Sequence, residues 1–173
     1  QHSQNASITT QGGQKLVDET VRILDKLYFR TEKGVVPLNA FKNAGIPLCD
    51  YDYLCAMKKA VGIQAPKNGK NTMTASFDLE PDYVGKSLVL ELEGQACDKL
   101  DVPVAPMKVT INGEKVFEGS CGFIKRGWSK HEVDVSAGIL KAEGNTISIE
   151  NMSECTRKYA GWIFISHVKF KKK

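Results

Sequence analysis

Apolar and polar residues alternate regularly through most of the chain after residue 71, and this pattern limits the fold more than any other feature. In the segment 72–80, TMTASFDLE, every second residue is apolar. The same alternation recurs in four later segments, residues 86–94, 107–111, 133–135 and 147–149. A period of two places successive side chains on opposite faces of a β-strand, one buried and one facing water. The pattern therefore predicts amphipathic strands in antiparallel sheets.

Turn residues separate these segments at short intervals. Asn112-Gly113 lies between MKVTI and EKVF, and both positions accept the positive φ that a tight hairpin requires. The dipeptide PD at 81–82 separates the first two strands, and the turn residues EGN at 143–145 precede the strand TISIE. Short strands with frequent turns are typical of sandwiches and jelly rolls. We predict a mainly β fold, an antiparallel β-sandwich of jelly-roll type over residues 71–173.

The last apolar segment, GWIFISHVKFK at 161–171, carries apolar residues on both faces. With a strict period of two, one face carries Trp162, Phe164, Val168 and Phe170, and the other carries Ile163 and Ile165. A strand with two apolar faces is buried on both sides, so another part of the chain has to cover it. We expect the N-terminal third to supply this cover and Trp162 to belong to the core.

Residues 1–70 differ in kind and are predicted as an N-terminal extension, helical or irregular, that packs on the sandwich. Between positions 14 and 30, apolar residues recur at helical spacing, namely Val17, Val21, Leu24 and Tyr28. The same segment also fits a strand interrupted by Asp25, but the helix is the preferred interpretation. Residues 52–61 are predicted as a second, short helix, and residues 62–71 as an exposed loop.

Composition indicates a globular protein and excludes several functional classes. The 173 residues suffice for one hydrophobic core, with 42% apolar and 25% charged residues. No apolar run approaches the roughly 18 residues of a membrane span. No basic and apolar leader opens the sequence, so a secretory signal is either absent or already removed. The net charge of +4 is modest and is most visible in the tail 169–173. Because the basic residues form no long face and the aromatic residues follow no module that recognises bases, we predict no nucleic-acid binding. Five cysteines without a Cys-x-x-Cys pair argue against a zinc module.

Several pieces of the sequence together resemble a known family. They are the strand with Phe77 and Leu79, the Gly85-Lys86 turn, the V-x-I-N-G hairpin at 109–113, and the segment from Leu140 to Ile147. In this combination, residues 72–170 resemble the galactose-binding-like β-sandwich domains. Those domains occur as carbohydrate-binding modules and as sugar-binding domains of bacterial glycoside hydrolases and polysaccharide lyases. Residues 1–70 match no family that we can name.

The resemblance implies non-catalytic binding of a poly- or oligosaccharide by a module of a secreted glycan-degrading system. It also implies a secreted, periplasmic or cell-surface location, with a catalytic domain or protein of the same system as partner. Related sandwiches often hold a structural calcium ion, but the chain has no Asp-x-Asp-x-Asp-Gly loop, so no cofactor is predicted. Two alternatives stay open: an accessory or protein-interaction sandwich without sugar affinity, and a small glycoside hydrolase or polysaccharide lyase.

Candidate catalytic groups exist, but each has a simpler structural interpretation. Cys121 and His131 have the chemistry of a nucleophile and a base, yet the alternation places His131 on the face of Val133 and Val135. Glycoside hydrolysis needs two carboxylates. The candidate pairs are Glu91 with Glu93, Glu132 with Asp134, and Asp98 with Asp101. The first two pairs are typical of the outward face of an amphipathic strand, so the sequence favours a non-catalytic protein.

Sugar binding depends on aromatic planes, which stack on the apolar C–H faces of pyranose rings, and on polar groups that bind the hydroxyls. Two predicted loops offer both kinds of group. The candidates are Lys125, Arg126 and Trp128 in the segment 119–131, and Asn151, Arg157 and Tyr159 in the segment 151–161. A further cluster is CDYDYL at 49–54. There Tyr51 and Tyr53 could stack on a ligand, whereas Asp50 and Asp52 are explained more simply as helix caps than as calcium ligands.

Overall fold

The computed structural model describes residues 11–28, 32–51 and 57–173. It groups the chain into two units, residues 1–33 and residues 34–173. In the first unit, helix α1 spans Gln11–Tyr28. The predicted N-terminal helix is therefore confirmed, and the alternative of a strand is wrong. That the extension packs on the sandwich stays a prediction.

Within the described residues, the second unit contains ten strands in two antiparallel sheets. In chain order they are β1 (Phe41–Lys42), β2 (Ile46–Tyr51), β3 (Lys58–Ile63), β4 (Thr72–Phe77), β5 (Leu88–Ala96), β6 (Pro106–Ile111), β7 (Glu114–Ser120), β8 (Ser129–Val135), β9 (Asn145–Asn151) and β10 (Ile163–Lys172). The first sheet has the order β1-β4-β9-β6-β7, and the second has the order β2-β3-β10-β5-β8. The predicted mainly β antiparallel sandwich is confirmed.

The hydrophobic core fills the space between the sheets, and the alternation of the sequence supplies it. Leu90 on β5 and Ile149 on β9 have no exposed surface, and both belong to one cluster that draws residues from the two sheets. Complete burial of such a side chain stabilises the folded state by about 1.5–3 kcal/mol. The sheets therefore hold together mainly through their inward faces.

The predicted hairpin joins β6 to β7 through Asn112 and Gly113, whose φ angles are +49° and +81°. Two successive positive φ angles match the twist of the flanking strands. The Asn112 side chain also donates from Nδ2 to the Ile139 carbonyl at 2.8 Å and to Asn145 Oδ1 at 2.9 Å. The turn therefore also fixes the connection that leads into β9.

Residues that the sequence assigned to the extension contribute β1, β2 and β3 to the two sheets. The short helix predicted for residues 52–61 is wrong over residues 58–61, which belong to β3; residues 52–56 lie outside the described part of the chain. β3 lies between β2 and β10, and its last four residues are buried. Because both of its faces are covered, its sequence KKAVGI lacks the alternation of a half-exposed strand.

A β-bulge in β10 changes which side chains of the last strand face the core. The register against β5 shifts between Ile165 and His167. One extra residue reverses the phase of the alternation, so the predicted grouping of faces is wrong. The core receives Ile163, Ile165, Val168 and Phe170. Phe164 instead packs with Tyr51 on the outer face, and Trp162 is half-buried rather than part of the main core.

Candidate functional site

Four aromatic side chains gather on the outer face of the second sheet, near the start of β10. Tyr51, Trp128, Trp162 and Phe164 are named the aromatic platform. The rings of Tyr51 and Phe164 are stacked, with centroids 4.0 Å apart and an interplanar angle of 22°. Tyr51 also meets Trp162 edge-on at 5.6 Å and Trp128 at 6.1 Å. These are favourable aromatic geometries, and Tyr51 joins the two tryptophans into one surface.

The strand pairing explains how these rings meet. Tyr51 ends β2, and Phe164 of β10 lies directly opposite Gly62 of β3. A Cβ atom at position 62 would lie 3.1 Å from Cε1 of Phe164 and 2.9 Å from Cβ of Ile46. Glycine therefore leaves the space that the Phe164 ring occupies. Trp128 comes directly before β8, where the preceding loop reaches the same face.

Side-chain hydrogen bonds fix the loop before Trp128. Gln95 Nε2 donates to the Gly127 carbonyl at 3.0 Å, and the Ile124 backbone N–H donates to Ser129 Oγ at 2.9 Å. Gln95 is completely buried, and no described residue offers its Oε1 a hydrogen bond. Gln95 therefore anchors the residue next to Trp128 from below the surface.

The two predicted cations before Trp128 have different roles. Arg126 is exposed, with a φ of +55° in the left-handed region that few non-glycine residues adopt. The ammonium of Lys125 instead donates to the Lys99 carbonyl at 2.5 Å and to the Val102 carbonyl. Lys125 thus holds the loop between β5 and β6 in place. Its assignment to ligand binding stays a prediction.

A charged pair borders the platform beside Trp128. Lys58 Nζ lies 6.0 Å from the centre of the Trp128 ring and 2.5 Å from Glu93 Oε1. Ser166 Oγ donates to the same Glu93 oxygen at 2.9 Å. Burial opposes ionisation of Glu93, but the hydrogen bonds from Lys58 and Ser166 outweigh it and lower the pKa of this carboxyl. Glu93 is therefore an ionised acceptor and not a proton donor at neutral pH.

Farther along the same face, lysines and carboxylates replace the aromatic rings. Glu91 lies 2.6 Å from Lys171 Nζ and 3.2 Å from Lys130 Nζ, and Lys171 also contacts Glu132 at 2.8 Å. The hydrogen bond from Lys171 lowers the pKa of Glu91 in spite of burial. The hydrogen bonds to Glu132 and Glu91 raise the pKa of Lys171 to about 12. These groups form an ion-pair network across β10, β5 and β8.

Two of the three remaining carboxylates that the sequence offered as catalytic candidates also have cationic partners. Asp134 lies 2.9 Å from Lys173 Nζ, and Asp101 lies 2.7 Å from Nη1 of Arg157. Asp98 is half-buried in the same loop as Asp101. Asp134 and Asp101 are therefore each held in an ion pair with a neighbouring cation.

The predicted nucleophile and base are held in apolar surroundings. Cys121 is buried, and burial raises the pKa of its thiol, which opposes formation of a reactive thiolate. The His131 ring meets Phe117 at 4.6 Å and Phe123 at 6.4 Å. Burial lowers the pKa of His131, and no described residue bonds to its buried Nε2. His131 contacts a residue of the opposite sheet, so it lies at the inner face, as the alternation predicts.

The loop between β9 and β10 presents Tyr159 at the end of the sandwich. Asn68 Nδ2 donates to the carbonyls of Arg157 at 2.8 Å and Ala160 at 2.9 Å, so the backbone is fixed on both sides of Tyr159. Tyr159 is 74% exposed and has a φ of +58°. Lys158 Nζ lies 5.1 Å from the centre of its ring. The structure therefore leaves this predicted aromatic residue accessible on a fixed loop.

Asn151 has no exposed surface at the end of β9. Its Nδ2 donates to the carbonyls of Gly161 at 2.7 Å and Ile63 at 3.2 Å, and its Oδ1 accepts the Ser153 N–H at 2.9 Å. Its amide therefore connects the loop after β9 to β3. A role of Asn151 in ligand binding stays a prediction.

Metal ligation finds no support among residues 11–28, 32–51 and 57–173, where no group of three or more histidine, cysteine or acidic side chains could hold an ion. Asp50, considered as a helix cap, lies in β2 and pairs with Lys59 at 3.0 Å, so capping is wrong there. Asp52 and Tyr53 lie outside the described residues. No described helix is long and apolar enough to cross a bilayer.

Sequence reasoning found Tyr51 and Trp128 but placed them in separate clusters, and it assigned Trp162 to the core. The contact between these residues had one signal in the sequence: the last strand is apolar on both faces, so its second face needs cover. Tyr51 supplies part of that cover by stacking on Phe164. The sequence carried no comparable signal for Gln95, whose role depends on the loop that lies over it.

No protein-family model and no curated protein matches the chain. Among solved structures, it is similar to the CBM36-1 domain of a multidomain xylanase from the hindgut metagenome of Trinervitermes trinervoides, with 13% identity and a TM-score of 0.50 over 82% of this chain and 98% of that domain. A family 35 carbohydrate binding module from an environmental isolate has 10% identity and a TM-score of 0.51, over 83% of this chain and 94% of the module.

A larger protein shares the same unit. The cycloalternan-forming enzyme from Listeria monocytogenes has 20% identity and a TM-score of 0.53, over 80% of this chain but only 12% of the enzyme. At these identities the similarity shows the fold alone. The resemblance inferred from the sequence, to the sandwich of carbohydrate-binding modules, is thus confirmed at the level of the fold.

Proposed function

We propose that the chain binds carbohydrate without catalysis, as a module of a secreted glycan-degrading system. The observation that supports this most directly is the half-exposed Trp128, held edge-on to Tyr51 on the outer face of a sheet. Binding sites for small ligands combine apolar and aromatic surface with a few placed polar groups. The aromatic platform has this composition, with Lys58 and Arg126 beside its tryptophan.

In the proposed mode, the C–H face of a pyranose ring lies against Trp128, and nearby polar groups bind its hydroxyls. The Lys58 ammonium stays close to Trp128 because Glu93 and Ser166 form a fixed hydrogen-bonded group with it. Arg126 contributes a guanidinium, whose N–H groups donate hydrogen bonds, at the loop–strand junction. The strand positions of Tyr51 and Phe164 keep the surface rigid, so that little side-chain entropy is lost on binding.

The setting of the module is part of the same proposal. The chain spans 98% and 94% of two isolated carbohydrate-binding modules, and 12% of an enzyme that carries a similar unit. This supports a role as one module beside a catalytic domain or protein, in a secreted, periplasmic or cell-surface location. The ligand is a poly- or oligosaccharide, and the chain itself supplies binding.

Glycan-array screening followed by affinity electrophoresis in xylan, mannan, galactan and pectin tests the proposal. The double variant Trp128→Ala, Arg126→Ala is expected to lose at least about tenfold in affinity, equivalent to about 1.4 kcal/mol. Lys108→Ala is the matched control, because Lys108 lies on β6 of the first sheet and pairs with Glu150 at 2.9 Å. Binding unchanged in the double variant removes this site. Absence of binding by the natural chain favours the accessory-sandwich alternative.

A further inference from the structure

A narrow groove of about 170 Å³ lies next to the aromatic platform, at the loop end of the sandwich. Its walls are Ile46, Gln64, Asn68, Tyr159, Ala160 and Trp162. Trp162 also contacts Tyr51 and Phe164 of the platform, at 5.6 Å and 4.8 Å between ring centroids. Groove and platform are therefore one continuous surface. The groove is smaller than the roughly 300 Å³ of drug-sized pockets, so it suits one ring.

The outer wall of this groove is the ring of Tyr159, whose backbone has an unfavourable conformation. A φ of +58° is unfavourable for a residue as large as Tyr159, and such a conformation persists only where surrounding structure imposes it. Here the two hydrogen bonds from Asn68 pin the backbone on either side, and Arg157 is tied to Asp101 at 2.7 Å. These contacts hold the Tyr159 side chain in a position where it is 74% exposed to water.

We propose that this groove binds a second pyranose residue of a ligand whose first residue stacks on the platform. The module then recognises chains of at least two sugar residues, with Tyr159 and Trp162 forming the apolar walls of the second position. This inference rests on the proposed function of the platform. A linked sugar is the occupant that fits, because Trp162 belongs both to the platform and to the wall of the groove.

Isothermal titration calorimetry of the full chain with xylo-, gluco- and galacto-oligosaccharides of one to six residues tests this proposal. The natural chain is expected to bind a trisaccharide about tenfold more tightly than the matching monosaccharide. Tyr159→Gly is the decisive variant, because glycine accepts a positive φ without strain and so removes the ring without weakening the loop. This variant is expected to lose most of the gain with chain length while keeping the natural affinity for the monosaccharide.

Two further variants serve as controls. Tyr159→Phe keeps the ring and is expected to keep the gain with chain length. Leu100→Ala removes an apolar side chain that is 68% exposed in another loop, and it is expected to change nothing. Equal affinity of the natural chain for one and three residues, or a full gain in Tyr159→Gly, overturns the second position and leaves the platform intact. Failure to bind any of the three ladders, together with absence of binding on the glycan array, overturns both proposals.

Discussion

The two faces of the second sheet come from the same strands but are organised by different rules. The inward face of β5 is aliphatic, and a residue such as Leu90 is held only by the shape of the core. On the outward face of β5, Glu91 and Gln95 are also buried, but each is held by a specific hydrogen bond, to Lys171 and Gly127. On the inner face, the volume of the core determines which side chains fit. On the outer face, individual hydrogen-bond partners determine it.

The outer face is itself divided. At the end near Trp128 it carries aromatic rings, and at the other end it carries the network around Glu91 and Lys171. Both ends follow the same alternation, in which these side chains point away from the core. The outer face can therefore acquire a binding surface without any change in the core. Substitutions on the two faces are expected to separate stability from binding.

Leu90→Ala is expected to give the largest effect and to act on stability alone. Leu90 has no exposed surface, and removal of three carbons from a packed core costs about 2–5 kcal/mol. Urea denaturation followed by circular dichroism measures the loss. Leu90→Met, which nearly conserves volume, is expected to cost less than about 1.5 kcal/mol. At a temperature where the variant is folded, its glycan affinity is expected to match that of the natural chain. A parallel loss of affinity would contradict the separation of stability and binding between the two faces.

This division explains how much of the fold could be predicted. Strands with one wet face, such as β4 and β9, carry the period of two and were predicted from it. β3 is buried on both faces, so its sequence carries no alternation, and its partner β10 is about a hundred positions away. For this reason the sequence of residues 52–61 predicts a helix more strongly than a strand. Pairing between distant strands is decided by the whole sheet and leaves little local signal.

The site shows the same limit. Trp128 could be predicted because a tryptophan beside cations in a loop is unusual in itself. Its contact with Tyr51 depends on β2 lying at the edge of the second sheet, which the local sequence does not specify. The faces of Phe164 and Trp162 depend on the bulge between Ile165 and His167, and a single extra residue in a strand leaves no trace in composition or spacing.

Gln95→Met is expected to act on binding more than on stability. The substitution preserves volume but removes the hydrogen bond to the Gly127 carbonyl, which holds the residue before Trp128. Loss of one such bond is worth about 0.5–1.5 kcal/mol, or roughly two- to tenfold in affinity if it falls on the platform. Calorimetry with the glycan selected by the array measures the change. Thr74→Val, which removes a 2.9 Å bond to Ser148 in the first sheet, is expected to leave affinity unchanged.

Glu91→Gln tests whether the charged end of the outer face contributes to stability rather than to binding. At pH 7 the variant is expected to lose about 1 kcal/mol, because the lysine partners of Glu91 remain accessible to water and screening. The pKa of Glu91 is lowered in the folded state, so its contribution is present above the unfolded value of about 4.3 and disappears as pH falls through the folded pKa. Denaturation of both proteins at pH 7 and at stepwise lower pH below about 4.3 measures this loss. A difference in stability that does not shrink as pH falls would contradict the ion-pair explanation.

The smallest expected effect on stability is that of substituting His131, which lies at the edge of the inner face. Burial lowers the pKa of His131, so between its folded pKa and about 6.5 the unfolded chain binds a proton that the folded chain does not. Stability is therefore expected to fall as pH is lowered from 7 to 5, and to fall less in His131→Leu, which cannot titrate. Denaturation across this range compares the two slopes. Identical slopes would mean that His131 is accommodated equally well in both charge states, although its Nε2 lies buried against Phe117 and Phe123.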